Sequence, residues 1–440
     1  MQSTHPIPRR EFLRRSGTLS LGTAALAAAP SIFLNRTRAQ TGENPSEWIR
    51  VGIIGTGGQG RGNMTARTMI KHVVALCDVD RSHLAEAAKQ LKDRAGTEAR
   101  TYSDYRKLLE DKSVDAVLIG TPDHWHALPA IHACQAGKDV YVEKPMTLTI
   151  HEGWAMVKAA QYYKRIVQNG SQQRSWPDEK FRRACEYVRS ERIGDIRVVR
   201  VGVARGELPR PRQAPARAGQ RAPAGLDYDM WLGPAPWRPY NKHRVHYLFR
   251  FFWDYSGGQM TNWGAHHLDI TQWALNMDQS GPVEISARAA FNKEGLYETP
   301  EWFEINYTYA NGVRVVCGNS HRIGTTFEGQ DGIIYVDRGR LESTVQGVIE
   351  EPLGANEVHL EVSKDHHQNW FDAIKSRKPP ICDVTVGHRS ATVCHLGNIA
   401  VQTGTTIRWD PVKEEIVGDP VKVKQFAYEY RKPWELPKIG

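Results

Sequence analysis

The stretch WIRVGIIGTGGQGRGNMTARTMI, residues 48–70, constrains the fold more than any other part of the chain. An apolar run leads into a cluster of glycines and then into a segment that reads as a helix. Gly55-x-Gly57-x-x-Gly60, with Gly58 in the same turn, matches the G-x-G-x-x-G pattern. Glycine is needed there because the turn is tight and a pyrophosphate must approach the backbone at the helix N-terminus. A second apolar strand, HVVALCDVD, places Asp78 at its end, 18 residues after Gly60. A carboxylate at that position accepts hydrogen bonds from ribose hydroxyls and repels a 2′-phosphate. NAD is therefore favoured over NADP, with Arg81 the one nearby feature that points to NADP.

The alternation continues through residue 170. RSHLAEAAKQLKDR reads as a helix, VDAVLIGTP as a fully apolar strand, ALPAIHACQAG as a helix with a glycine stop and DVYVEKP as a strand. Strands and helices alternating at this spacing predict an α/β fold with a doubly wound parallel sheet. Ligands of such sheets lie beyond the carboxyl ends of the strands. Two loops fall there, TPDHWH at 121–126 and EKP at 143–145.

These motifs in this order resemble the glucose–fructose oxidoreductase, inositol dehydrogenase and rhizopine-catabolism family (Gfo/Idh/MocA). TPDHWHALPAIHACQAGKDVYVEKPMTLT is similar to its core signature, and the resemblance covers nearly all of the chain beyond residue 39. It implies a Rossmann domain over 48–170. A second α/β domain, with a large open and mainly antiparallel sheet, is implied over 171–440. A nicotinamide is expected in the cleft between them. By the resemblance Thr121, Pro122 and His126 line the nicotinamide side, Glu143 helps hold the cofactor ribose, and Lys144 points at the substrate hydroxyl. Desolvation in a cleft lowers a lysine pKa and suits it to proton exchange with a hydroxyl. A surface lysine paired with its neighbour is the competing reading of EKP.

Beyond residue 170 the sequence is a frame more than a chemistry. DIRVVRVGVARG, VEISARAAF and WFEINYTYANGVRVVCGNS read as strands, with Asn311-Gly312 as a hairpin turn. Residues 207–225, rich in Pro, Arg and Ala, read as a long loop that either covers a cleft or is simply solvated. Arg174 and Tyr240 are candidate substrate contacts, and His124 and His366 border the same cleft by the resemblance.

GGQMTNWGAHHLDITQWAL, residues 257–275, carries the second half of the chemistry. Asn262 is read as the cap of a helix on which Asn262, His266 and Asp269 share one face. His267 points about 100° away, so the adjacent histidines make a poor metal site, and no metal is expected. The family pattern makes His266 an acid/base beside Lys144, with Asp269 toward the substrate. It also has an acid where this chain has Asn262. An amide holds no proton, but it can orient a lysine or bind a sugar hydroxyl.

Composition matters mainly at the N-terminus. Of the formal net charge of +9, residues 1–39 hold six arginines against one glutamate, so a nucleic-acid role loses its main support. RREFLRRSG followed by LSLGTAALAAAPSIFL resembles a twin-arginine export signal with a small residue, Ala39, near its end. A periplasmic protein without stable membrane insertion is expected, as is a homo-oligomer. The six scattered cysteines read as buried thiols. Outside the cytoplasm no soluble nicotinamide pool exists, so a cofactor must be loaded before export and regenerated in place. Three readings follow: an oxidoreductase on a sugar, polyol or sugar derivative; a redox-neutral NAD-dependent glycosidase; or a non-catalytic sugar-binding relative.

Overall fold

The apolar runs VGII, VVALC, AVLI and DVYV are too short for helices and are buried along nearly their whole length. Strands that bury both faces belong in the middle of a parallel sheet covered by helices. In the computed structural model, which describes residues 48–204, 220–292, 295–418 and 425–440, they do so. The expected export segment, 1–39, and the larger part of the 207–225 loop lie outside the described residues.

Six strands form the first sheet: β1 (Val51–Ile54), β2 (Val73–Cys77), β3 (Arg100–Tyr102), β4 (Ala116–Ile119), β5 (Asp139–Val142) and β6 (Val167–Asn169). Their order is β3-β2-β1-β4-β5-β6, all parallel. The order reverses between β1 and β4. That switch point opens a crevice at the carboxyl ends of the strands.

The second sheet has nine strands: β7 (Ile196–Gly202), β8 (Pro282–Ala290), β9 (Trp302–Tyr309), β10 (Arg314–Gly318), β11 (Gly324–Gly329), β12 (Ile333–Val336), β13 (Leu341–Ser343), β14 (Ile407–Asp410) and β15 (Glu415–Ile416). Only the β7–β10 pair is parallel among these described strands. In β9, Phe303, Ile305, Tyr307 and Tyr309 are buried while Trp302, Glu304, Asn306 and Thr308 keep some exposure. This period of two marks a sheet packed on one face. Gly312 takes φ +85° in the hairpin between β9 and β10.

The helix Val384–Thr403 joins the two sheets. Asp383 caps it by accepting from the Thr385 and Val386 amides, and Gly404 ends it in the left-handed region. Val384 and Ala391 pack into the core beside the parallel sheet, while Val393, Leu396 and Ile399 pack into the core of the second. One rigid helix thus fixes the cleft between the sheets. All six cysteines are buried free thiols. Among the described residues no helix is long and apolar enough to cross a membrane.

Candidate active site

The glycine loop is shaped by close backbone approach. Gly55 has φ +85°, and a Cβ there would press on the Gly120–Thr121 backbone. A Cβ on Gly60 would overlap the Gly55 carbonyl oxygen and meet Gly120. Gly60, in the first turn of the helix Gly58–Met64, therefore seats that helix against the ends of β1 and β4, and it does not itself line the cleft. Gly57 and Gly58 do line it, and a Cβ on Gly58 would meet no atom within 4 Å. Asp78 sits at the end of β2. Its Oδ2 accepts from the Thr56 amide at 2.7 Å and its Oδ1 from the Asp80 amide at 2.9 Å. The carboxylate is thereby fixed at the wall of the cleft.

That cleft is a cavity of about 790 Å³ running from Asp78 past Gly57 and Thr121 to Lys144 and His266. Thr121, Pro122 and His126 line it, as expected. His126 faces the Pro145 carbonyl with Nδ1 (2.7 Å) and the Thr121 carbonyl with Nε2 (2.9 Å), so the ring ties the two loops together. The Thr121 hydroxyl is buried without a protein partner, free to meet a ligand.

Glu143 is buried at the centre. Its Oε1 accepts from the side-chain amides of Asn63 (2.7 Å), Gln172 (2.7 Å) and Gln59 (3.3 Å). Lys144 follows, and its Nζ donates to the Asn262 carbonyl at 2.9 Å and to Asn262 Oδ1 at 3.1 Å. The surface-lysine reading of EKP fails on this geometry. Burial brings the Lys144 pKa down to about 8, with Glu143 opposing the shift and Arg250 adding to it.

Asn262 is not a helix cap. Met260–Gly264 form a π-turn that runs directly into the helix Ala265–Ala274. The Asn262 amide is oriented by its bond to Gln259 Oε1, 2.9 Å, which leaves Oδ1 toward Lys144. His266 lines the cavity and has no hydrogen bond to a described residue, its Nδ1 being buried and unpartnered. Burial and then the Lys144 charge hold its pKa well below the usual range, so the ring is neutral. His267 is packed in the core, stacked on Trp263. Among the described residues the one trio placed to hold a metal is Asp80, His83 and His246, which includes neither of these two histidines.

Three expected substrate contacts lie elsewhere. Arg174 and Asp269 are both buried and bind each other, Nε to Oδ2 and Nη2 to Oδ1 at 2.9 Å each. Asp278 and Ser390 complete the group. A π-turn advances fewer degrees per residue than an α-turn, so a face projected from Asn262 at α-helical spacing misplaces Asp269. Tyr240 packs edge-on against Tyr228, outside the cavity lining. His366 and His124 are buried against the Asn169 and Trp231 carbonyls, respectively.

Sequence reasoning missed Asp123, Gln172, Trp176, Arg250 and Arg338, all of which line the cavity. Asp123 belongs to the TPDHWH motif and is the one of the five that carries a sequence signal. Arg250 lies in the short 3-10 helix His246–Phe251 and Arg338 in the turn between β12 and β13, places that only the fold brings to the cavity.

Two family models match. One, an oxidoreductase-family NAD-binding Rossmann fold, covers residues 49–171, and the other, an oxidoreductase-family C-terminal α/β domain, covers residues 215–436. This chain belongs to the Gfo/Idh/MocA oxidoreductase family. A glycosyl hydrolase family 109 protein of Shewanella sp. (strain W3-18-1) is 32% identical over 173 residues, 36% of this chain and 38% of that protein. An alpha-N-acetylgalactosaminidase of Shewanella oneidensis is 31% identical over 176 residues, with the same shares. The match thus spans less than two-fifths of these curated relatives. Among solved structures, the WlbA dehydrogenase of Bordetella pertussis, in complex with NADH and UDP-GlcNAcA, is similar at TM-score 0.60 and 19% identity. It covers 82% of this chain and 99% of that one. The myo-inositol dehydrogenase of Lactobacillus casei, with NAD(H) and myo-inositol, gives TM-score 0.56 at 17% identity, covering 82% and 97%. At such identity these structures establish the shared fold.

The residues of this family member fit a nicotinamide dinucleotide. Gly57 and Gly58 leave a bare backbone cradle at a helix N-terminus, the Asp78 carboxylate at the end of β2 lines the same cavity where it would meet a ribose, and the Thr121 hydroxyl has no protein partner. Replacing Asp78 with Asn removes a charged acceptor, a loss of about 1.5–3 kcal/mol, or roughly ten- to hundredfold in NAD affinity. Calorimetric titration of the cofactor-stripped protein checks this, and unchanged affinity would place the ribose elsewhere.

Proposed function

We propose that this protein is an NAD-dependent oxidoreductase acting on a hydroxyl of a sugar, polyol or sugar derivative. The observation that carries the reading is the Lys144–Asn262 contact in a cavity continuous with the glycine loop. When bound, the dinucleotide supplies a hydride acceptor at its nicotinamide ring. Lys144, titrating near 8, exchanges the hydroxyl proton. Asn262 fixes the direction of Nζ, and neutral His266 offers the substrate hydroxyl a hydrogen-bond partner. His266 is a poorer proton acceptor than the sequence suggests, because its cation would be both desolvated and beside Lys144. The solved relatives named as dehydrogenases, with NADH or NAD(H) and sugar-derived or polyol ligands, support this reading.

A pH dependence follows from the lysine. Below about 8 Lys144 is an ammonium and cannot take a proton, so single-turnover oxidation of substrate rises as pH passes upward through about 8. Reduction of the ketone falls over the same interval. Rapid-mixing absorbance of the bound nicotinamide reads both directions, and a flat profile would remove Lys144 from proton exchange.

The family 109 relatives favour a second reading, in which the same site cleaves a glycoside with no net redox change. Incubation with aryl glycosides separates the two: released aglycone without accumulating reduced nicotinamide selects cleavage, and a keto-sugar selects net oxidation. We further propose that residues 1–39 are a twin-arginine signal delivering the loaded protein to the periplasm, supported by the paired arginines and the short apolar run. Assembly as a homo-oligomer is supported by large side chains left exposed on the second sheet, Trp302 and Ile333 among them.

A further inference from the structure

The reacting end of the cavity carries an excess of positive charge. Lys144, Arg250 and Arg338 line it, and both guanidinium groups bear on the lysine electrostatically. Only two acids of that end stand against them. Glu143 is engaged by three side-chain amides and makes no bond to either arginine. Asp123 is buried and accepts a short bond from the Ser256 hydroxyl at 2.5 Å; burial pushes its pKa up, with His126, Ser256, Arg250 and Lys144 opposing the shift, and it makes no ion pair with either arginine.

Neither half-buried Arg250 nor exposed Arg338 has an acidic partner among the described residues, whereas buried Arg174 and half-buried Arg50, Arg182 and Arg192 pair with carboxylates. Arg250 makes one hydrogen bond, to the Tyr247 carbonyl at 2.9 Å, and lies over the rings of Tyr247 and Phe249. Arg338 makes no side-chain hydrogen bond and sits 4.9 Å from the Trp263 ring centroid and 5.3 Å from that of Trp176. Aromatic faces hold both side chains in place while leaving their N–H donors unspent. A guanidinium has five such donors, in a fork matched to planar oxyanions. Two of them at one end of a cavity are poorly suited to a neutral sugar alone.

We propose that the substrate is an anionic carbohydrate, whose carboxylate, sulfate or phosphate group is met by Arg250 and Arg338 while Lys144 faces the reacting hydroxyl. Trp176 and Trp263, which position Arg338 and line the same cavity, give the sugar ring apolar faces to lie against. This deepens the oxidoreductase reading and rests on it for the reacting hydroxyl, but the charge preference is measured separately, by binding.

The test is calorimetric titration of the full, nicotinamide-loaded protein. Glucuronate, galacturonate, glucose 6-sulfate and glucose 6-phosphate are compared with glucose and galactose. At least one acid should bind about tenfold or more tightly than its neutral parent, and the acid that does so tells carboxylate from sulfate and phosphate. The preference should shrink to about one in Arg250→Gln and Arg338→Gln and weaken as salt is raised. Nicotinamide released on denaturation is counted in each variant, because Arg250 could instead serve the dinucleotide pyrophosphate. A variant that loses nicotinamide but keeps its preference for the acid overturns the assignment of that arginine. Equal affinity for acids and parents, or measurable affinity for neither, overturns the proposal whatever the nicotinamide does. A strong acid preference with no reduced nicotinamide and no keto-sugar from the acid that binds leaves the charge assignment standing and removes its net oxidation.

Discussion

Lys144→Met should lower turnover by about a thousandfold and leave the bound nicotinamide in place. The magnitude is that of a positioned acid/base, and the substitution keeps most of the aliphatic stem while deleting the ammonium. The cradle for the dinucleotide, Gly57, Gly58 and Asp78, makes no contact with Nζ. Two readouts therefore separate. Nicotinamide released on denaturation should match the wild type, while the single-turnover rate should collapse and its rise through pH 8 vanish. Asn262→Asp extends the test in the other direction. A carboxylate 3.1 Å from Nζ, in place of the amide oxygen, would favour the ammonium and move the rate profile to higher pH. If Lys144→Met retains more than about a tenth of the rate, proton exchange belongs to another group.

How far the sequence reaches is visible along this same cleft. Strands such as VGII and AVLI, bounded by glycine turns, and the spacing from Gly60 to Asp78 place the parallel sheet and its crevice without any coordinates. TPDHWH and EKP follow from strand ends, and Lys144, Asn262 and His266 are found together as expected. What fails is local phase. The five-residue π-turn at Met260–Gly264 has no compositional mark, and it turns Asp269 from the substrate into the core. Arg174 misleads for a related reason, since a fully buried arginine and one facing a cleft look alike until their partners are known. Arg250 and Arg338 are not legible because one sits in a single short 3-10 helix and the other in a strand-to-strand turn, neither long enough to show a face. Arg338 owes its place to contacts far along the chain, with Trp176 and Trp263, whereas Arg250 is held locally by the Tyr247 carbonyl and the Tyr247 and Phe249 rings and enters the cavity only through the fold.

Asp269→Ala should destabilise the protein by about 3–5 kcal/mol, the largest single loss expected from any residue near the site. The cost is the charge left behind more than the contact removed. Arg174 is 2% exposed and would keep Asp278, whose side chain is partly open to solvent, a long bond to the backbone carbonyl of residue 269, and the Trp273 ring beneath it. The Ser390 hydroxyl would lose its acceptor as well. Because Asp269 lies on the helix that carries His266, the loosened segment includes one wall of the site. Urea unfolding of the nicotinamide-loaded protein measures the loss as a lower midpoint. Removing both charges should cost less than removing one, so Arg174→Met in the Asp269→Ala background should recover part of the stability. Additive losses would mean that the two residues act independently and that the buried pair is not what anchors this helix.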